Sequence, residues 1–268
     1  MVDLTPAAQI TGQAAGSAPE LVVLHGLFGQ ARNWAGIAKR LEDRFRIHAL
    51  DLRNHGSAPW DDQMDYPAMA KDVAGYIHSQ GLEGCCLLGH SMGGKAAMVC
   101  ALENPGLIGK LVVVDIAPAP KRLTFDRYSE AMLAIDLDQV SRRSEVDQAL
   151  REAVPQPGIR AFLTQNLDQS KDPDTGAMRL RWRCNLSVIH QAMEAIGDFP
   201  EYGPDTTYGG PVLFVSGSES DYIQPEHRPA IGALFPQAKA RVVNGAGHWV
   251  HSEQPEGFLR AIDRFLQA

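Results

Sequence analysis

Six short apolar runs constrain this chain more than any other feature. Four lie in the first 115 residues: Leu21–His25, Phe45–Asp51, Cys85–Gly89 and Leu111–Asp115, each closing on a polar residue or glycine. Two more, Val212–Ser216 and Ala240–Asn244, come late. Longer stretches with helical spacing separate them. Continuous apolar runs of this length alternating with helices are what a mostly parallel sheet requires, because helices then cover both of its faces. The expected class is therefore α/β, a mostly parallel central sheet flanked by helices.

Between the two groups, from Pro118 to Pro204, the β-runs stop. Arg, Gln, Asp and Leu recur there at helical spacing, broken by Pro118-Ala119-Pro120 and Asp172-Pro173-Asp174. This predicts a helical lid over residues 118–204, inserted into a core domain made of 1–117 and 205–268. An insertion at this point sits over the carboxyl ends of the strands, where open α/β sheets bind ligands. There it would exclude water from a reaction.

The strongest chemical signal is Gly89-His90-Ser91-Met92-Gly93, which follows the run CCLL and precedes the helix-like KAAMVCALEN. Strand, sharp turn and helix in that order throw the central serine out with its hydroxyl exposed. A β-carbon at position 89 or 93 would collide with neighbouring backbone. Ser91 is the candidate nucleophile. A serine hydroxyl is weak near neutral pH and needs a general base, itself oriented by a third group.

His248 is the candidate base, since it lies in the glycine-rich Asn244–Trp249 loop between the last apolar run and the amphipathic stretch Pro255–Leu266. His251 falls just past that loop and reads as a surface or supporting residue. The oxyanion needs two backbone N–H donors. Met92 supplies one, and the turn His25-Gly26-Leu27-Phe28-Gly29 the other, through Leu27 in preference to Phe28. For the acid, Asp115 ends an apolar strand beside Ser91, where a buried carboxylate needs a partner. Asp221, in Gly217–Ile223, is the alternative. Lys95 falls one residue beyond Ser-x-x-Lys spacing and reads as structural or lid-contacting.

Composition narrows the partners. A net charge of -7 disfavours nucleic acid and anionic membranes. The first twenty residues show neither a basic n-region nor a long apolar run, so a cytoplasmic protein without stable membrane insertion is expected. Four scattered cysteines suggest reduced thiols. Without a Cys-x-x-Cys pair or a His-Glu-x-x-His helix, no metal site is expected.

Taken together, the segments HGLFGQARNW (25–34), DLRNHGSAP (51–59), GHSMGGKAAM (89–98), VVDIAP (113–118), RWRCN (181–185) and GAGHWVHSEQP (245–255) resemble the α/β-hydrolase superfamily. Within it they are most similar to the YbfF-type bacterial esterases and their mitochondrial abhydrolase relatives. The resemblance implies the α/β-hydrolase fold and cofactor-free hydrolysis of a small carboxylester, with reach into acyl-CoA thioesters. That group tends to lack the usual Asp after the penultimate strand and to place its acid after the preceding one, which favours Asp115. Ser220 occupies the usual position here.

Phe28, Trp182, Arg183 and Trp249 are the candidate substrate-binding residues. Arg179, Arg181 and Arg183 would share one face of an extended stretch and could meet phosphates. Phe125, Phe162 and Met193 join Trp182 as candidates for an acyl pocket. The same scaffold also carries lyases of the menaquinone-pathway type and non-catalytic receptors. Dehalogenase and epoxide hydrolase chemistry needs an Asp where this chain has Ser91.

Overall fold

The computed structural model describes residues 4–121, 125–171 and 178–267. Among them the strands are β1 (Ala7–Gly12), β2 (Glu20–Leu24), β3 (Arg46–Asp51), β4 (Cys85–His90), β5 (Ile108–Val114), β6 (Leu167–Lys171), β7 (Met178–Trp182), β8 (Val212–Gly217) and β9 (Ala238–Val243). All six apolar runs are strands of one seven-stranded sheet with the order β1-β3-β2-β4-β5-β8-β9. Every neighbouring pair is parallel except β1 with β3.

Alternate side chains of β2 feed opposite cores, Val22 and Leu24 on one face and Leu21 and Val23 on the other. This follows from the two-residue period of a strand. Helices α1 (Ala35–Leu41), α2 (Tyr66–Gln80) and α3 (Met92–Glu103) follow β2, β3 and β4. Asp65 caps α2 by accepting the Ala68 N–H (2.8 Å), and Gly81 closes it in the left-handed conformation.

The segment between β5 and β8 carries α4 (Asp126–Leu133), α5 (Arg143–Ala149), α6 (Pro157–Thr164), α7 (Leu186–Gln191) and α8 (Met193–Gly197). It is not wholly helical. Strands β6 and β7 form a separate antiparallel pair within it. Their sequences LDQSK and MRLRW are mostly exposed and charged, so no apolar run announces them. The Asp172–Asp174 turn lies outside the described residues. Helix α9 (Arg228–Leu234) joins β8 to β9, and α10 (Val250–Glu253) and α11 (Pro255–Gln267) finish the chain. Phe258, Ile262 and Leu266 recur every fourth residue of α11 and are buried against the sheet beside Trp34.

β2 is flanked by β3 and β4, so the connections leaving β2 and β4 diverge at the carboxyl edge and open a crevice there. All four cysteines are free and buried. Among the described residues, no helix is long and apolar enough to cross a membrane.

Candidate active site

The crevice collects the loops after β2, β4, β5 and β9. At the end of β4 the backbone reverses into α3 at Ser91, whose φ of 52° and ψ of -120° are strained for a residue with a side chain. A β-carbon at Gly93 would strike the His25 carbonyl, and one at Gly89 the Gly93 carbonyl. Only glycines permit so tight an approach.

Ser91 Oγ lies 3.0 Å from His248 Nε2, and His248 Nδ1 lies 2.7 Å from Asp115 Oδ2. With Asp115 as acceptor, Nδ1 carries the imidazole proton and Nε2 is left to accept from the serine hydroxyl. Asp115 is fully buried and also sits at positive φ (53°). Its Oδ1 accepts the Gly217 N–H (3.2 Å), while its Oδ2 also accepts the Ser220 hydroxyl (2.5 Å). Ser220, standing where the superfamily usually has an acid, therefore hydrogen-bonds to the carboxylate that reaches His248.

Asp221 is placed elsewhere. Its side chain is 77% exposed and pairs with Lys121 Nζ at 2.9 Å, which holds its carboxyl below the usual carboxylate range. Tyr222, which no sequence signal singled out, stacks on the His248 ring (3.6 Å between centroids, 18° between planes). His90 Nε2–H donates to the His248 carbonyl (2.9 Å) and pins that loop from below. His251 is not on the surface: it is buried with its ring stacked on Trp34 (4.1 Å), and burial pushes it down to about 3.

The turn after β2 passes so close to Ser91 that a β-carbon on Gly26 would lie 3.3 Å from the serine Cβ and 2.9 Å from His90 Nδ1. Within this turn the Phe28 N–H is engaged, donating to His55 Nε2 (3.1 Å). Leu27 lines the cavity beside Ser91. Met92 opens α3, where backbone N–H groups have no partner within the helix. His25 donates from Nδ1 to the Gly26 carbonyl (2.8 Å) and accepts the Leu52 N–H at Nε2 (3.0 Å), a pattern that needs a neutral ring. Burial holds His25 at about 4 and His55 at about 3.

The cavity at Ser91 is about 30 Å³, space for a water-sized group. Phe125, Phe162 and Trp249 line it together with Leu27, Ser91 and His248. The other substrate-binding candidates lie elsewhere. Phe28 is fully buried against Phe125 (6.1 Å), and Trp182 and Met193 pack into the core. Arg183 and Arg181 both bond Asp168, at 2.9 and 3.2 Å. Lys95 is buried and points away from the serine hydroxyl's partners, donating to the carbonyls of Gly197 (2.9 Å) and Asp198 (2.7 Å) at the end of α8. Among the described residues, no three His, Cys, Asp or Glu side chains are grouped as a metal site requires.

The model of the alpha/beta hydrolase family matches residues 21–261. The chain is 42% identical over 258 residues to the sn-1-specific diacylglycerol lipase ABHD11 of Xenopus laevis, covering 93% of this chain and 80% of that protein. It is 34% identical to esterase YbfF of Escherichia coli strain K12, covering 92% of each. Among solved structures it is similar to a marine microorganism esterase, with a TM-score of 0.91 and 34% identity over 98% of this chain and all of the other.

Proposed function

The chain belongs to the alpha/beta hydrolase family, and on that premise we propose that it is a serine carboxylester hydrolase working through an acyl-enzyme on Ser91. The observation that carries this reading is the unbroken relay from Asp115 through His248 to Ser91, with links of 2.7 and 3.0 Å.

Ser91 Oγ attacks the ester carbonyl while its proton passes to His248 Nε2. Asp115 holds Nδ1–H and stabilises the imidazolium that forms. The carbonyl oxygen, now negative, is held by the amides of Leu27 and Met92. As the tetrahedral species collapses, the ester C–O bond breaks and His248 returns the proton to the leaving alkoxide. Water then repeats the sequence on the acyl-enzyme and frees the acid. The segment 118–204 acts as the lid. Phe125 and Phe162, which line the cavity at Ser91, would flank the acyl chain.

ABHD11 of Xenopus laevis is named a diacylglycerol lipase and the Escherichia coli relative an esterase, which supports an ester of a small alcohol as substrate. Acyl-CoA thioesters form the second substrate class within the same mechanism. A fluorophosphonate probe tests the proposal: wild type is expected to label and Ser91→Ala not to. Absence of label on the wild type sinks the serine mechanism. A chain-length series of p-nitrophenyl esters beside acyl-CoA thioesters then ranks the two substrate classes.

A further inference from the structure

Among the described residues, four other than glycine adopt positive φ: Phe28 (59°), Asn54 (65°), Ser91 (52°) and Asp115 (53°). Each such residue costs on the order of 1–3 kcal/mol and persists only where its surroundings hold it. Ser91 and Asp115 belong to the relay. Phe28 and Asn54 sit on the loops after β2 and β3, and the bonds that hold them come from far along the chain.

Asn166, between α6 and β6, is fully buried and donates from Nδ2 to the Phe28 carbonyl at 2.8 Å. Its Oδ1 accepts from Gln30 Nε2, also buried, at 2.8 Å. Asn185, just before α7, makes a matching grip on Asn54. Its backbone N–H donates to the Asn54 carbonyl (2.9 Å) and its Nδ2 to Asn54 Oδ1 (3.1 Å). The residue after Asn54 is His55, whose Nε2 accepts the Phe28 N–H. Phe28 is thus held on its carbonyl side by Asn166 and on its amide side by His55, which Asn185 steadies through Asn54. Both asparagines belong to the segment read above as the lid. Both engage the oxyanion turn or its support, and neither touches Ser91, His248 or Asp115 through a hydrogen bond.

We propose that Asn166 and Asn185 are positioning residues for the oxyanion hole, so that closing the lid and setting the Leu27 donor beside Ser91 are a single event. The inference rests on the serine-hydrolase reading of Ser91 and Leu27. Its physical basis is that an oxyanion donor acts only when preorganised. Losing one costs about 10²- to 10³-fold in turnover, and an error near 1 Å costs about 10²-fold. With the lid raised, the Phe28 carbonyl loses its buried donor and the strained turn is free to relax, while the Ser91–His248 pair stays intact. A substrate too bulky to be enclosed would then be met by a nucleophile without its oxyanion hole, so the lid selects through kcat as well as through access.

The test uses Asn166→Leu and Asn185→Leu in the full chain, with kcat and KM on p-nitrophenyl butyrate and Ki for a trifluoromethyl ketone. That inhibitor forms a hemiketal oxyanion on the serine. The expected result is a kcat lowered by about 10- to 100-fold with KM within about threefold, and a Ki weakened by the same factor as kcat/KM. A rise in KM alone, or an unchanged Ki, would show that the lid only encloses. Should the leucine variants fail to fold, Asn166→Asp keeps the bond from Gln30 but turns a carboxylate oxygen toward the Phe28 carbonyl. The same pattern is expected, and a folded Asn166→Asp with wild-type kcat and Ki overturns the proposal. Wild type that resists a fluorophosphonate would instead remove the serine mechanism itself.

Discussion

Three neighbouring side chains decide how the relay's acid is arranged. Asp115 reaches His248 from β5, Ser220 hydrogen-bonds to Asp115 from the loop after β8, and Asp221 turns out to solvent and pairs with Lys121. Asp115→Asn leaves His248 without an acceptor for Nδ1–H and favours the wrong tautomer, so ester turnover is expected to fall about 10³-fold or more. Asp221→Asn removes only an exposed ion pair and is expected to stay within about twofold. Steady-state kinetics on a p-nitrophenyl ester ranks the two, and the reverse order would move the acid to Asp221. Because Ser220 Oγ already lies 2.5 Å from Asp115 Oδ2, Ser220→Asp in the Asp115→Asn background is expected to recover part of the lost activity. No recovery would mean that the β8 loop cannot deliver a carboxylate to the same nitrogen.

Among the elements, α11 and the segment between β5 and β8 are both anchored by apolar burial, and differ in the polar contacts beside it. Helix α11 depends on apolar burial: Phe258 is fully enclosed beside Trp34 and His251, while Arg40–Glu256 and Arg44–Asp263 pairs form its wet margin. Phe258→Ala is expected to cost about 3–5 kcal/mol in urea unfolding, and Glu256→Gln far less. Equal costs would mean that the charged margin carries the helix. The segment between β5 and β8 buries apolar residues too, among them Met132, Leu163, Ile189 and Ile196, and adds buried polar contacts to them. Lys95 holds the Gly197 and Asp198 carbonyls, and the Tyr66 hydroxyl donates to the Ile196 carbonyl at 2.5 Å, so the end of α8 is tied to α2 and α3. Such ties specify one position of the segment more strictly than apolar packing would.

At the scale of the whole molecule, buried neutral histidines make stability sensitive to acid. His25, His55 and His251 are held at about 4, 3 and 3 against an ordinary 6.5. The unfolded chain therefore binds protons that the folded chain refuses, first below pH 6.5. A depressed folded value makes the contribution complete above 6.5 and progressively lost as pH falls toward 4 and then 3. At pH 5 the loss is about 2 kcal/mol for each such histidine. Melting temperature is expected to drop steadily from pH 7 to 4.5, and a flat profile from 7 to 5 would show that these rings are not held neutral.

What the sequence determined by itself is whatever depends on a few consecutive residues or on a period. GHSMG announces its own sharp turn, since a β-carbon at Gly89 would strike the Gly93 carbonyl inside the motif, although the collision at Gly93 is with the His25 carbonyl on the turn after β2. The five strands buried in the sheet announce themselves because helices cover both their faces. By the same logic β1 was illegible: as an exposed edge strand it is held by backbone bonds to β3 and has no apolar run to show. The charged β6–β7 pair was hidden likewise. Tertiary structure alone decided that Asp115 and not Asp221 lies against His248, that Tyr222 covers the imidazole, and that Asn166 meets Phe28 across 138 positions. An asparagine in a polar stretch looks like a turn residue until the fold supplies a buried carbonyl for it to hold. Where two loops meet is set by strand order and register, which no local pattern encodes.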